Sequence, residues 1–197
     1  MASKSNTKGK YMANNNNNES DKHSLYDNGM YLFMTEVSQE SMRPVIEWIM
    51  QENMKLKKRD YLTLVICSPG GDVNACFALI DTMKGSAIPI RTVGLGMIAS
   101  CGLIMFMAGE KGHRLLTPNT SILSHQWSWG SRGKEHELFS VKKEFTLTSK
   151  RIVDHYMKCT GLTEKKIRKK LLPASDVWLN AEEALDLGIC DEIKETY

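Results

Sequence analysis

Twice in this chain an aliphatic run of strand length stops at a glycine-bearing turn and gives way to a helix-type pattern. The first run is 61–66 (YLTLVI), ended by Ser68-Pro69-Gly70-Gly71 and followed by a helix over 74–83 that stops near Gly85. The second is 90–95 (IRTVGL), followed by Gly96-Met97-Ile98-Ala99-Ser100-Cys101-Gly102 and a short buried helix over 99–108. Short continuous apolar runs bounded by turns read as strands buried on both faces, which a parallel sheet flanked by helices provides. The chain is therefore expected to be an α/β protein with a mainly parallel sheet.

The remaining pattern extends this alternation. Residues 30–34 (MYLFM) have strand length. Ser41 then precedes the stripe Met42, Val45, Ile46, Ile49 and Met50 of an amphipathic helix, with Pro44 in its first turn, where a missing N–H costs little. Two further strands, 114–116 and 121–126, flank the Pro118-Asn119 turn. A long helix over 134–158 repeats Leu138, Val141, Phe145, Thr148, Ile152 and Tyr156 at spacings of three and four, predicting one buried face. Short helices over 163–172 and 181–187 and a last strand over 189–193 complete the reading. Residues 1–22 are polar and contain the tract Asn14-Asn15-Asn16-Asn17-Asn18, with too little to bury for a fold. The expected organisation is a disordered tail over 1–22 and one domain over 23–197.

Composition narrows the function classes. The chain is 42% hydrophobic and 25% charged with a formal net charge of +3, which argues against a nucleic-acid partner. The basic run Lys165-Lys166-Ile167-Arg168-Lys169-Lys170 reads as a solvated helix face. Five cysteines form no C-x-x-C pair, so reduced thiols are expected rather than a disulfide or zinc framework. With no signal or membrane-spanning pattern, the expected location is the cytoplasm, or a plastid stroma or infected host cytoplasm, and not outside the cell.

Chemistry is expected where the two glycine-rich turns meet helix starts. Such junctions present backbone N–H groups with no helical partner, the arrangement an oxyanion needs. Ser100 stands at the second junction among small neighbours, and reads either as a helix cap or as a nucleophile. The spacing is not the G-x-S-x-G elbow. His125, at the end of the 121–126 strand, can serve as base for a serine, or can be a strand histidine satisfied by a neighbouring carbonyl. His113, His136 and His155 are assigned to turn or exposed-helix contexts. A third group must orient the imidazole, and Asp176 competes for that role with Asp72, Asp81, Asp154, Asp186 and Asp191.

In order along the chain, Tyr31-Leu32-Phe33-Met34-Thr35-Glu36-Val37, Ser68-Pro69-Gly70-Gly71, Ile80-Asp81-Thr82-Met83, Ala99-Ser100-Cys101-Gly102, Pro118-Asn119, His125-Gln126, Thr160-Gly161 and Ala181-Glu182-Glu183-Ala184 resemble the ClpP serine peptidase family, the proteolytic subunit of the Clp protease. The resemblance implies a ClpP/crotonase-like fold of repeated strand-strand-helix units with a protruding long-helix handle. It implies Ser100 as nucleophile, His125 as general base and Asp176 as the orienting carboxylate, with the backbone N–H groups of Gly71 and Cys101 as the oxyanion hole. Substrate, an extended unfolded peptide, would lie along Gly70, Gly71, Asp72, Gln126 and Trp127. The family forms two stacked seven-membered rings fed by an AAA+ unfoldase, so a homo-oligomeric tetradecamer is implied. No metal or other cofactor is implied, and ATP would be used only by the partner.

Several positions depart from the family pattern. Cys101 replaces a methionine, Trp127-Ser128-Trp129-Gly130 replaces a proline- and glycine-bearing stretch, and Ala174-Ser175 replaces a charged pair that helps couple the rings. Thr63 and Val65 replace aromatic residues of the unfoldase docking pocket, and no N-terminal gate segment is recognisable. Docking to a standard unfoldase is therefore expected to be weak. The alternatives are a non-catalytic structural subunit of a mixed ring and a crotonase-like acyl-CoA enzyme.

Overall fold

The computed structural model describes residues 24–128, 130 and 132–196. The segment expected to be a disordered tail lies outside the described residues. After a single 3-10 turn at Tyr26–Asn28, the order is β1 (Met30–Phe33), α1 (Gln39–Met54), β2 (Leu62–Ser68), α2 (Val73–Gly85), β3 (Ile90–Ala99), α3 (Cys101–Met107), β4 (Arg114–Leu116), β5 (Ser121–Ser124), α4 (Glu135–Thr160), α5 (Glu164–Lys170), β6 (Val177–Leu179), α6 (Ala181–Asp186) and β7 (Glu192–Ile193).

Strands β1-β2-β3-β4-β7 form a parallel sheet in that order, and β5 and β6 branch from it. The branch originates in β3. Its first half pairs with β4 through Thr92, Val93 and Gly94, and its second half pairs with β5 through Met97, Ile98 and Ala99. Between the two halves the register against β2 slips, from Ile66↔Gly94 to Ser68↔Ile98, and Gly96 takes a left-handed φ of 60°. A bulge of this kind bends a strand and lets it serve two partners. β6 then pairs antiparallel with β5, so the sheet is mixed. Sequence reading left 177–179 in a loop between two helices. Three residues that alternate partly buried, exposed, partly buried give too short a pattern to register as a strand.

The core lies between the sheet and its helices. Val45 and Ile49 of α1, Leu64 and Ile66 of β2, Leu79 and Ile80 of α2, and Ile152 and Tyr156 of α4 belong to one buried cluster. Every residue of α3 is buried, which makes it the central helix. Helix α1 begins one turn earlier than expected. Ser38 caps it, reciprocally bonded with Ser41, so Pro44 falls beyond the first turn. Buried Arg114 of β4 forms a two-pronged pair with Asp191 (2.8 and 2.5 Å) and donates to the Cys159 carbonyl at 3.0 Å, joining β4, the segment before β7 and α4.

Helix α4 departs most from expectation. Thr148, Ile152 and Tyr156 are buried as its spacing predicts, but Leu138 and Phe145 are each 43% exposed. Phe139 and Leu147 are more exposed still. The periodic stripe continues past the point where the core ends, so the first half of α4 projects as a handle. His155 also differs: it is buried, with Nε2 donating to the Ile104 carbonyl at 2.8 Å.

Candidate active site

Ser100 sits where β3 becomes α3, with φ 53° and ψ −120°. Among the described residues it is the one non-glycine with positive φ, a conformation an L-residue holds only when its surroundings impose it. The surroundings do so from both sides. Its N–H donates to the Leu123 carbonyl of β5 at 3.0 Å, and its carbonyl accepts from Ile104 of α3 at 3.1 Å.

The Gly70-Gly71 turn is pressed against this serine. Gly70 has φ 97°, and a Cβ there would stand 2.6 Å from the Ser100 Cβ. Gly71, at φ 144°, bridges Val37, whose carbonyl a Cβ would meet at 2.1 Å. Ser68 fixes the turn by accepting from the Gly70 N–H at 3.2 Å while donating to the Thr35 carbonyl at 2.7 Å. The N–H groups of Gly71 and Cys101 donate to no oxygen acceptor among the described residues. Cys101 opens α3, where the first N–H groups lack a helical partner. The structure thus brings both expected oxyanion donors beside Ser100.

His125 and Asp176 are aligned by strand register. β5 and β6 pair Ile122↔Leu179, Leu123↔Trp178 and Ser124↔Val177, so the next step of the ladder sets His125 opposite Asp176. Ala99↔Leu123 pairing puts Ser100 at the same end of the neighbouring strand. In this single chain, however, the three side chains are not linked by hydrogen bonds. His125 Nδ1 meets the Gln126 carbonyl at 2.6 Å, and Asp176 is exposed without a hydrogen-bonded partner among the described residues. A carbonyl only accepts, so Nδ1 carries a proton, and in the neutral ring Nε2 then holds the lone pair, the tautomer a base needs.

Of the expected substrate contacts, Gly71, Asp72 and Trp127 line one cavity of about 560 Å3, together with Val141, Glu144 and Thr148. Gln126 instead turns its amide to the Leu172 carbonyl at 3.0 Å. Trp127 stacks on Phe145 at 4.9 Å and donates to Ser149 at 3.0 Å, which makes it a fixed wall. A separate cavity of about 400 Å3 lies between Met83 and Cys159 and includes none of the expected site residues. Two thiols lie under the site. The hydrogen bond between Cys76 and Cys101 pushes the Cys76 thiol well above the usual thiol range, with burial adding to it. The same bond holds Cys101 below that range against its burial. No group of His, Cys, Asp and Glu among the described residues is arranged to hold a metal.

Sequence reading did not single out Val37, Ser68, Glu144 or Thr148 as parts of the site. Ser68 stood in a quoted turn, but neither Val37 nor the α4 pair carries a local signal. They matter only because the fold brings distant segments together.

A strained serine at a strand–helix junction, with the Gly70-Gly71 turn pressed against it and a histidine on the neighbouring strand, fits chemistry of the acyl-transfer type. The Clp protease family profile matches residues 14–197, and the chain belongs to that family, one of serine-type peptidases. It is 36% identical over 132 residues to the ATP-dependent Clp protease proteolytic subunit of Deinococcus radiodurans, covering 67% of this chain and 64% of that protein. It is 38% identical over 134 residues to the ATP-dependent Clp protease proteolytic subunit 1 of Chlamydia abortus, covering 67% and 69%. Against the protein of that name from Leifsonia xyli subsp. xyli the figures are 34% over 162 residues, 82% and 81%. The chain thus aligns with just under two thirds of the Deinococcus protein's length. The resemblance drawn from ordered segments is borne out, and the crotonase-like reading draws no support from these relatives.

Proposed function

We propose that this chain cleaves peptide bonds of unfolded proteins through an acyl-enzyme on Ser100. The observation that carries the reading is the strained Ser100 at the start of α3, beside the Gly70-Gly71 turn, with the N–H groups of Gly71 and Cys101 donating to no oxygen among the described residues. Ser100 Oγ attacks the scissile carbonyl while its proton passes to His125 Nε2. The oxyanion forms between the two N–H donors. The C–N bond then breaks as His125 returns the proton to the leaving amine. Water attacks the acyl ester and gives a proton to His125, which returns it to Ser100 Oγ as the ester C–O bond breaks and the acid product leaves. Asp176 holds the imidazole and stabilises its charged form once the Nδ1–H turns from the Gln126 carbonyl to the carboxylate across the ladder. The substrate backbone runs extended past Gly71 and the segment after His125, with a side chain in the cavity walled by Trp127.

The relatives are named as proteolytic subunits of an ATP-dependent protease. We assign this chain the same place, as the peptidase of a ring assembly served by a separate Clp ATPase, with two stacked heptamers as the arrangement. The exposed apolar half of α4 supports a subunit contact there. The unfoldase surface differs from the family pattern, since buried Thr63 accepts from Arg91 (3.1 Å), whose guanidinium lies 4.5 Å over the Tyr61 ring. Among the described residues no helix is long and apolar enough to cross a membrane.

The test combines a fluorophosphonate probe with native mass measurement on the full chain. The wild type is expected to label once per subunit and to run as a multiple of the 22.3 kDa chain, and Ser100→Ala to keep that mass without labelling. Labelling that survives the substitution removes Ser100 from the mechanism.

A further inference from the structure

Gly71 and Cys101 lie thirty residues apart in sequence, so an oxyanion hole built from them needs a tie that fixes their separation. The backbone around Gly71 is anchored on one flank only. Val37 N–H donates to the Gly70 carbonyl and Asp72 N–H donates to the Val37 carbonyl, each at 2.7 Å. Those bonds fasten the turn to the segment after β1 and leave the α3 flank open. On that flank the Cys101 thiol donates to the Gly71 carbonyl at 3.2 Å. This hydrogen bond joins the Gly71 turn to the first residue of α3.

A second thiol backs the first. Cys76, fully buried in α2, donates to the Cys101 carbonyl at 3.4 Å. Cys101 is thereby engaged through its backbone on one side and its sulfur on the other.

We infer that the Cys101 thiol is a positioning residue for the hydrolysis: it ties the Gly71 turn to the start of α3 and holds both N–H donors aimed at one oxyanion. This rests on Ser100 being the nucleophile. The thiol forms and breaks no bond in the reaction. Its effect is on the aim of donors whose strength depends on being fixed before the oxyanion forms.

The test uses the full-length chain with a fluorogenic peptide and a fluorophosphonate probe, whose phosphonyl oxygen occupies the same hole. In Cys101→Ala, kcat is expected to fall about tenfold, since small misplacements of catalytic groups cost one to two powers of ten. KM should stay within about twofold, as the tie bears on the transition state rather than on substrate binding. Probe labelling should slow in parallel. Cys101→Ser, which restores a donor of similar size, should return kcat to within about threefold of wild type. Cys101→Val, which fills the space without a donor, should resemble Cys101→Ala and carries the comparison if the alanine variant does not fold. A purely structural role would lower the melting temperature without splitting kcat from KM. Wild-type kcat in Cys101→Ala or Cys101→Val, or a serine variant as impaired as either, overturns the inference alone. A wild type that neither cleaves nor labels overturns the nucleophile assignment and the inference with it.

Discussion

At Gly70 the backbone has no room for a side chain. Its φ of 97° is costly for any residue with a Cβ, and that Cβ would stand 2.6 Å from the Ser100 Cβ and 2.9 Å from the Cys101 nitrogen. Both obstacles are parts of the proposed catalytic apparatus, so relief of the clash must move what that mechanism depends on. Gly70→Ala is expected to lose roughly 2–4 kcal/mol of stability from backbone strain and overpacking together. Peptide turnover should fall about a hundredfold under conditions where the variant is still folded. Thermal melting and turnover on one preparation check this, and turnover close to wild type would show that the turn relaxes away from Ser100. The residue scale is also where the sequence says least. Ser100 can be read as a cap because its positive φ leaves no compositional trace. Asp176 is one aspartate among several until the β5–β6 register places it across from His125. Both roles are implied by the family resemblance, and the fold sets His125 opposite Asp176 without a hydrogen bond between them.

Among the elements, the α3–α4 contact carries a titratable group that the mechanism does not use. His155 of α4 donates to the Ile104 carbonyl of α3, and burial, helped by the charges of Lys84 and Lys158, lowers its pKa from 6.5 to about 4 against that hydrogen bond. In the unfolded chain the same imidazole takes a proton below about 6.5. Between these values the unfolded state binds more protons, so stability is full above pH 6.5 and falls as pH drops toward 4. The total is about 3 kcal/mol. Asp191 does not interfere in this window. Burial opposes its ionisation, but bonds from Arg114 and the Gly112 N–H outweigh it and hold the carboxyl below 3.8, so its contribution is lost only at lower pH. Melting temperatures taken from pH 7 to pH 4.5 should decline for the wild type and much less for His155→Gln, which keeps a donor without the titration. An equal decline in both would assign the acid sensitivity elsewhere. Element identity was largely legible in the sequence because β2, β3 and α2 bury continuous or periodic apolar runs. The exceptions have physical causes. β6 is too short for periodicity, and His155, a polar residue beside the buried Ile152 and Tyr156, is buried because α3 offers its ring the Ile104 carbonyl.

Over the whole molecule, the first half of α4 exposes Leu138, Phe139, Phe145 and Leu147 on a helix that has already left the core. Leu138 and Phe145 fall on the same stripe as the buried Thr148, Ile152 and Tyr156, so periodicity alone could not show where burial ends. Four large apolar side chains exposed within ten residues of one helix suit an interaction face in a folded protein. The consequence for assembly can be separated from that for folding at Phe139 and Leu147, the two most exposed of the four, whereas Phe145 is stacked on Trp127. Phe139→Glu combined with Leu147→Glu removes roughly 2 kcal/mol of apolar contact at each position if both are covered in the assembly. It also sets like charges against one another at every repeat of the contact. The double variant is expected to keep its far-ultraviolet circular dichroism spectrum and to drop in native mass to a smaller species. Peptide turnover should fall with it if alignment of Ser100, His125 and Asp176 depends on neighbouring subunits, since the lone chain leaves His125 bonded to Gln126 rather than to Asp176. Unchanged mass would remove α4 from the subunit contact. Reduced mass with full turnover would place alignment of the three residues within the single chain.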